Sequence, residues 1–371
     1  MKRLGVGDVR ISARARHYVQ QVLDSGRLSY GPWSKEFERR FAEIHGKRFA
    51  CFVSSGTDAL RIGLGAMKEK YGWQDHWRVL VPAVTFVATF NIVLQNRMVP
   101  YLVDIETEHF GMAPTDSYAR HPVAAAIPVN LFGHVPPQRP SFPALVDSCE
   151  TMFVPSCADG DVAAFSTYTA HLITTGVGGL VLTDDADLAR IIRSLANHGR
   201  NGIYTDIDMP LGDRETMDAR FFFEREGYSS RGTELQAALG CAELDDWEEN
   251  IQARRRNARQ LVESLWGLPL ALPKYPVTDS AWMMVPILSE QRDDLVLHLE
   301  RLGIETRPLL PLTSQPHVRN WWKQSTWRDI DETLPVAARV NREGFYCGIH
   351  PGLTEADIDY MAKAFRSFYA P

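Results

Sequence analysis

The chain predicts an α/β fold: a mainly parallel sheet between helices, followed by a smaller α/β domain at the carboxyl end. Three observations carry this expectation. From about residue 15 to residue 250, helical patterns alternate with short apolar runs, as a sheet covered on both faces by helices requires. Those runs are nearly continuous in apolar residues rather than alternating, the pattern of strands buried on both sides. From residue 246 the pattern changes to one long charged helix, a proline-rich passage and mixed short elements. The expected domains are therefore 1–245 and 246–371, and 371 residues with 45% hydrophobic content suffice for both cores.

Taken in order, the predicted strands are Phe49–Val53, Arg78–Val81, Val99–Val103, Ala124–Val129 and Ala144–Val146, each ending in small or polar residues. The longest apolar stretch, Val79–Leu94, is interrupted by Pro82, Thr85, Thr89 and Asn91 and is too short to span a bilayer, so it reads as a buried strand leading into a helix. In an open parallel sheet, ligands bind at the carboxyl ends of the strands. Ser54-Ser55-Gly56-Thr57, Thr85-Phe86, Asp104 and Asp147 are accordingly expected to face a site. In the carboxyl part, Trp247–Leu265 is the long helix, with Arg254-Arg255-Arg256 read as a solvated face. Thr354 is read as the cap of a last helix that carries carboxylates in its first turn.

Composition narrows the function. A net charge of -6 and a pI near 6.0 give no electrostatic footprint for nucleic acid. The amino terminus shows no secretory signal and no segment can span a membrane, so a cytoplasmic protein is expected. The five cysteines, at 51, 149, 157, 241 and 347, have no Cys-x-x-Cys or Cys-x-Cys spacing, which argues against a zinc ribbon or iron–sulfur site and for buried free thiols; no metal is expected.

Ser54 to Leu60 places small residues between a strand and a helical pattern, where free amides and the helix dipole suit a phosphate, although the same residues also suit a plain connection. Gly176-Val177-Gly178-Gly179 lacks the full dinucleotide fingerprint. Further segments follow in order: Pro82-Ala83-Val84-Thr85-Phe86-Val87-Ala88-Thr89, Asp147-Ser148-Cys149-Glu150, Ala164 to Gly179, Gly227-Tyr228-Ser229-Ser230-Arg231-Gly232-Thr233-Glu234-Leu235-Gln236 and His350-Pro351-Gly352-Leu353-Thr354. Together, from about Gly26 to Gly352, they resemble the DegT/DnrJ/EryC1/StrS family of vitamin B6-dependent sugar aminotransferases, which have the type I aminotransferase fold.

The resemblance implies pyridoxal 5'-phosphate or pyridoxamine 5'-phosphate as cofactor. It places Gly56, Thr57 and Ser166 at the phosphate, and Phe86 stacked on the pyridine ring. Asp147 falls on its nitrogen, where a protonated ring acts as an electron sink. Glu150 falls where many relatives have glutamine near the phenolic oxygen, and a carboxylate there repels a phenolate unless the two share a proton. Ser229 replaces the asparagine that reaches phosphate in a neighbouring subunit, implying a homodimer with shared sites, with a contact through water in place of a direct one. Arg231, Arg307 and His350 are substrate-facing by motif position. Taken singly, Phe86 also reads as a core residue and Asp147 as a helix cap.

In this family the Schiff-base lysine falls on His171. The chain has eight lysines, at 2, 35, 47, 68, 70, 274, 323 and 363, none between Lys70 and Lys274. An imidazole cannot bond the cofactor covalently but can move protons near neutral pH. A histidine here resembles the family's dehydratase branch, which uses pyridoxamine phosphate to remove the C3 hydroxyl from nucleotide-linked 4-keto-6-deoxy sugars. The missing Cys-x-Cys pair points to the cluster-free type in which glutamate restores the amine. The alternatives are an aminotransferase-like enzyme with an atypical histidine, and a non-catalytic cofactor or nucleotide-sugar binding protein.

Overall fold

The computed structural model describes residues 3–114, 122–138, 141–200, 221–274 and 276–370. Among the described residues, seven strands build the central layer: β1 (Phe49–Val53), β2 (Arg78–Pro82), β3 (Val99–Val103), β4 (Val123–Ala126), β5 (Leu145–Asp147), β6 (Val162–Ser166) and β7 (Gly179–Thr183). β3, β2 and β4 pair in parallel, as do β5 and β6, whereas β7 runs antiparallel between β6 and β1. Parallel bridges from Ala126 to Ala144 and from Val129 to Asp147 join the two groups of strands into one layer.

The predicted strands are present, but β4 stops at Ala126, short of Pro128, which has no N–H to give a ladder. β6 leads into the His171 segment and β7 leads out of it, and neither is among the predicted strands. Their residues are buried throughout, yet an alanine-rich and a glycine-led run carry little periodic signal. Helices α1 (Ala13–Ser25) and α2 (Pro32–Ile44) precede β1, and α3 (Gly56–Tyr71) buries Ala59, Leu60, Ile62, Leu64, Ala66 and Met67 against the sheet. Burying each of the larger side chains contributes roughly 1.5–3 kcal/mol.

The amino end of α2 is satisfied from a distance. Its cap position is Gly31, which supplies no side-chain acceptor. The buried carboxylate of Glu234 instead accepts from the amides of Gly31, Trp33 and Ser34 at 2.8, 2.9 and 2.9 Å, and from the Ser34 hydroxyl. First-turn amides have no intrahelical acceptor, and an anion there also meets the positive end of the helix dipole. Glu234 opens the helix Glu234–Asp245, whose cap Thr233 forms a capping box with Gln236. The Thr-Glu-Leu-Gln motif thus ties two helices together.

In the carboxyl part, β8 (Met284–Leu288), β10 (Gly344–Gly348) and β9 (Thr306–Pro308) form an antiparallel sheet with β10 in the middle. The helix Trp247–Leu265 spans the expected residues and packs Leu261, Val262 and Leu265 into a second core with Val285, Ile287, Phe345 and Phe365. Thr354 caps the last helix, Glu355–Tyr369, in a capping box with Asp357. Asp104 departs from its expected place at a site. Its carboxylate accepts from the amides of Val336 and Ala337 at 3.0 and 2.9 Å, capping the helix Pro335–Glu343. No helix among the described residues is long and apolar enough to cross a membrane.

Replacing Glu234 by alanine leaves several buried donors unsatisfied and is expected to cost about 2–4 kcal/mol. Denaturant titration checks this, and an unchanged midpoint would show that the α2 amides have another acceptor.

Candidate active site

The strand ends meet at the amino terminus of α3. Ser55 caps the helix by accepting from the Asp58 amide at 3.1 Å, so Gly56 and Thr57 present the first-turn backbone. A β-carbon at Gly56 would come 2.6 Å from Ser166 Cβ and 2.9 Å from Cys149 Sγ. Gly56, Ser166 and Cys149 therefore share one spot, closed to any larger side chain. A helix amino terminus beside a serine hydroxyl is suited to an anion.

Asp147 ends β5 and is only 4% exposed. Its Oδ2 accepts from Thr89 Oγ1 at 2.7 Å, Thr89 in turn shares a hydrogen bond with Thr85 at 2.8 Å, and Oδ1 accepts from the Cys149 amide at 3.1 Å. Burial raises this carboxyl above its ordinary range, against those two donors and the Cys149 thiol. Among the described residues no cation pairs with it. A carboxylate buried in this way lacks a counter-charge. Glu150, half-buried, accepts from the Phe132 amide at 3.1 Å. Burial pushes it up to about 7, the Phe132 amide opposes, and the Asp147 charge adds to the rise.

His171 stands in the loop after β6. Its Nδ1 lies 3.2 Å from the Ser166 carbonyl. A carbonyl only accepts, so this contact assigns the ring proton to Nδ1 and leaves the lone pair on Nε2. Burial lowers the imidazole to about 4 despite that bond, with the positive charge of Arg254 acting in the same direction as burial. The ring is therefore neutral at physiological pH.

Arg254 corrects the reading of a solvated arginine run: it is 5% exposed. Its Nη1 donates to the Met283 carbonyl at 3.1 Å and its Nε to Asn250 Oδ1 at 2.9 Å, while Asn250 Nδ2 donates to the Leu172 carbonyl at 2.8 Å. The adjacent Arg255 donates to the Ser280 carbonyl at 3.0 Å. Charge clustering alone does not tell a buried arginine from exposed ones, so the sequence reading missed this link, and Thr89 with it. A cleft of about 390 Å³ opens beside His171, with Asp8, Arg10, Arg254 and Gly352 on its walls.

The other sequence candidates spread around this centre. Phe86 precedes helix α4 (Val87–Gln95) and is 59% exposed, so it is not a core residue. Ser229 and Arg231 lie beside the end of β1, where Arg231 bridges Val53 and Ser54 donates to the Ser230 carbonyl at 2.9 Å. Arg231 Nη2 is 3.4 Å from both Ser229 Oγ and His198 Nε2. His350 is buried next to the His171 cleft. Arg307 is not gathered there; it pairs with Glu305 and lines a separate groove of about 440 Å³ with Arg292 and Glu300.

Residues 9–366 match the DegT/DnrJ/EryC1/StrS aminotransferase family. The chain belongs to this family. Among its relatives, the GDP-perosamine synthase of Caulobacter vibrioides is 29% identical over 98% of both chains. The dTDP-4-dehydro-2,6-dideoxy-D-glucose 3-dehydratase of Saccharopolyspora spinosa is 30% identical, over 93% of this chain and 82% of its own. The fold matches that of the Escherichia coli GDP-4-keto-6-deoxy-D-mannose-3-dehydratase with bound hydrated pyridoxal phosphate, with a TM-score of 0.85 over 98% of this chain and 100% of the other at 23% identity. The fold is thus the type I aminotransferase fold, and the family's cofactor is pyridoxal or pyridoxamine 5'-phosphate. The residues here fit that group. The Gly56–Ser166 cradle suits its phosphate, and the unpaired Asp147 suits its protonated ring nitrogen.

Nitrogen-detected NMR of ring-labelled protein is expected to show His171 protonated on Nδ1 alone at pH 6, with its charged form appearing only as the pH falls towards 4. A midpoint near 6.5, or a proton on Nε2, would contradict the assigned tautomer.

Proposed function

We propose that the protein is a pyridoxamine phosphate-dependent nucleotide-sugar 3-dehydratase, acting on a 4-keto-6-deoxy sugar and recycled by glutamate. The observation that carries the reading is an imidazole with a free Nε2 at the position where the family has its Schiff-base lysine. The relatives include 3-dehydratases of both dTDP- and GDP-linked sugars. The cofactor, when bound, supplies the carbonyl-condensing amine and an electron sink.

The chain's own groups supply the rest. The head of α3, with Gly56, Thr57 and Ser166, holds the phosphate. Phe86 offers an exposed face to stack on the ring, and Asp147 keeps the ring nitrogen protonated by giving it a counter-charge. Glu150, close to neutral, can donate a proton to the phenolic oxygen where an ionised carboxylate would repel it. His171 Nε2 takes up a proton at the reacting carbon and, once charged, gives it to the departing C3 hydroxyl, which leaves as water. Because a histidine forms no covalent link, the cofactor stays exchangeable and glutamate can restore its amine. The loop of Ser229 and Arg231 is the part through which two copies would share sites in a homodimer, with the protein acting in the cytoplasm.

An aminotransferase reading draws on the equally similar GDP-perosamine synthase. The absence of any lysine between Lys70 and Lys274 counts against it, because the returning aldehyde has no amine to capture it.

His171→Ala is expected to lower turnover about 10²–10⁴-fold while cofactor affinity, measured by absorbance titration, stays within a few-fold. Unchanged turnover would remove the proton-transfer role. His171→Lys is expected to bind pyridoxal phosphate covalently, seen by mass spectrometry after borohydride reduction. No adduct would mean that residue 171 does not reach the cofactor.

A further inference from the structure

The amino-terminal segment is built into the wall of the His171 cleft. Leu4 bridges Ile304 in parallel, with its amide donating to the Gly303 carbonyl at 2.8 Å and its carbonyl accepting from the Glu305 amide at 2.9 Å. The backbone of Gly5 and Val6 crosses so close to Gly348 that a β-carbon there would meet Val6 Cα at 2.4 Å. A β-carbon at Gly7 would stand 3.6 Å from Ala170 Cα, the neighbour of His171. Asp8 and Arg10 then follow. Arg10 Nε donates to Asp8 Oδ2 at 2.8 Å, and its Nη2 to the Gly352 carbonyl at 3.3 Å.

These groups meet a buried ring that lacks a partner. His350 is 6% exposed and its Nδ1 has no hydrogen bond. A β-carbon at Gly352 would lie 2.5 Å from Asp8 Oδ2, 2.9 Å from Arg10 Nη2 and 3.0 Å from His350 Nδ1. A carboxylate, a guanidinium and an imidazole thus converge on one small space, kept open by a glycine whose backbone needs no left-handed conformation. The space belongs to the cleft that His171 lines, about 390 Å³, within the roughly 300–1,000 Å³ of small-molecule sites.

We propose that Asp8 and Arg10, with His350, form the hexose subsite of the His171 cleft, binding the neutral hydroxyl-bearing ring of the substrate and not its diphosphate. Asp8 accepts from sugar hydroxyls, and Arg10 donates to sugar oxygens and holds Asp8 in place. The charge of the cleft supports a neutral ligand. Asp8, Glu243, Asp246 and Glu249 stand against Arg10, Arg254 and Arg256, so the walls hold no excess of positive charge to draw a diphosphate. The inference rests on the nucleotide-sugar reading above.

The test uses the cofactor-loaded full chain with Asp8→Ala, Arg10→Ala and Gly352→Ala. Calorimetry compares GDP-4-keto-6-deoxy-D-mannose with GDP alone, and dTDP-4-dehydro-2,6-dideoxy-D-glucose with dTDP alone. Each variant is expected to weaken the sugar nucleotide that the wild type binds about tenfold or more, leaving the free nucleotide unchanged. The rate at which glutamate bleaches the pyridoxal form should also stay unchanged. Equal loss for the free nucleotide, a parallel loss of the glutamate reaction, or no change for the sugar nucleotide would each overturn the subsite. Wild-type turnover, followed in parallel, tests the dehydratase reading separately. Turnover by the wild type with unaltered sugar binding by Asp8→Ala defeats the subsite and leaves the function standing.

Discussion

The bond from His171 Nδ1 to the Ser166 carbonyl decides which ring nitrogen is left for chemistry. It is a local contact of 3.2 Å across five residues, but it is held from several sides. The His171 amide donates to the Tyr168 carbonyl at 2.9 Å, closing the turn. On the far side of the loop, Asn250 holds the Leu172 carbonyl and Arg254 holds Asn250, so the helix Trp247–Leu265 and the strand β8 it packs on bear on the ring's position. A buried arginine satisfied by carbonyls and an amide positions its neighbours in a fixed fork, which lysine would not reproduce. The positive charge it places near the imidazole also favours the neutral ring, the form a proton acceptor needs.

The same economy of small residues shapes the rest of the centre. Gly56 and Ser166 let the head of α3 approach the end of β6, leaving a space lined by amides and hydroxyls. Asp147 shows the opposite pressure. A buried carboxylate supported by Thr89 and by the thiol and amide of Cys149, with no cation, is unfavourable for folding alone, and burial moves its titration towards the neutral form. Such a group is explained by a ligand that brings the missing positive charge. Glu150, three residues along the chain, is raised by the same burial and by Asp147 itself. Neighbouring carboxyls in one pocket divide into one suited to a cation and one suited to donating a proton.

Much of this is legible in the chain. Strands β1 to β5 announce themselves as continuous apolar runs, and the helix Trp247–Leu265 by its length and charge. Thr354 announces a helix start by cap chemistry. Gly56, Asp147, Ser166 and His171 converge as the motif order suggests, because strand ends in such a sheet open on one side. What was not legible depends on contacts between distant segments. Asp104 ends a strand in the right place but caps a helix more than two hundred residues away. Arg254 looks like its exposed neighbour Arg256 until packing buries it. Arg307 is drawn off by Glu305, and Asp8 and Arg10 reach the cleft only because Leu4 pairs beside Ile304.

The most direct measurement is mass spectrometry of the sugar product after the wild-type protein, pyridoxal phosphate and [¹⁵N]glutamate are incubated with GDP-4-keto-6-deoxy-D-mannose and dTDP-4-dehydro-2,6-dideoxy-D-glucose. With His171 acting as a proton carrier and no lysine to intervene, the expected product has lost its C3 oxygen and carries no ¹⁵N. A product that keeps the C3 oxygen and holds ¹⁵N at C4 would contradict this and make the enzyme an aminotransferase.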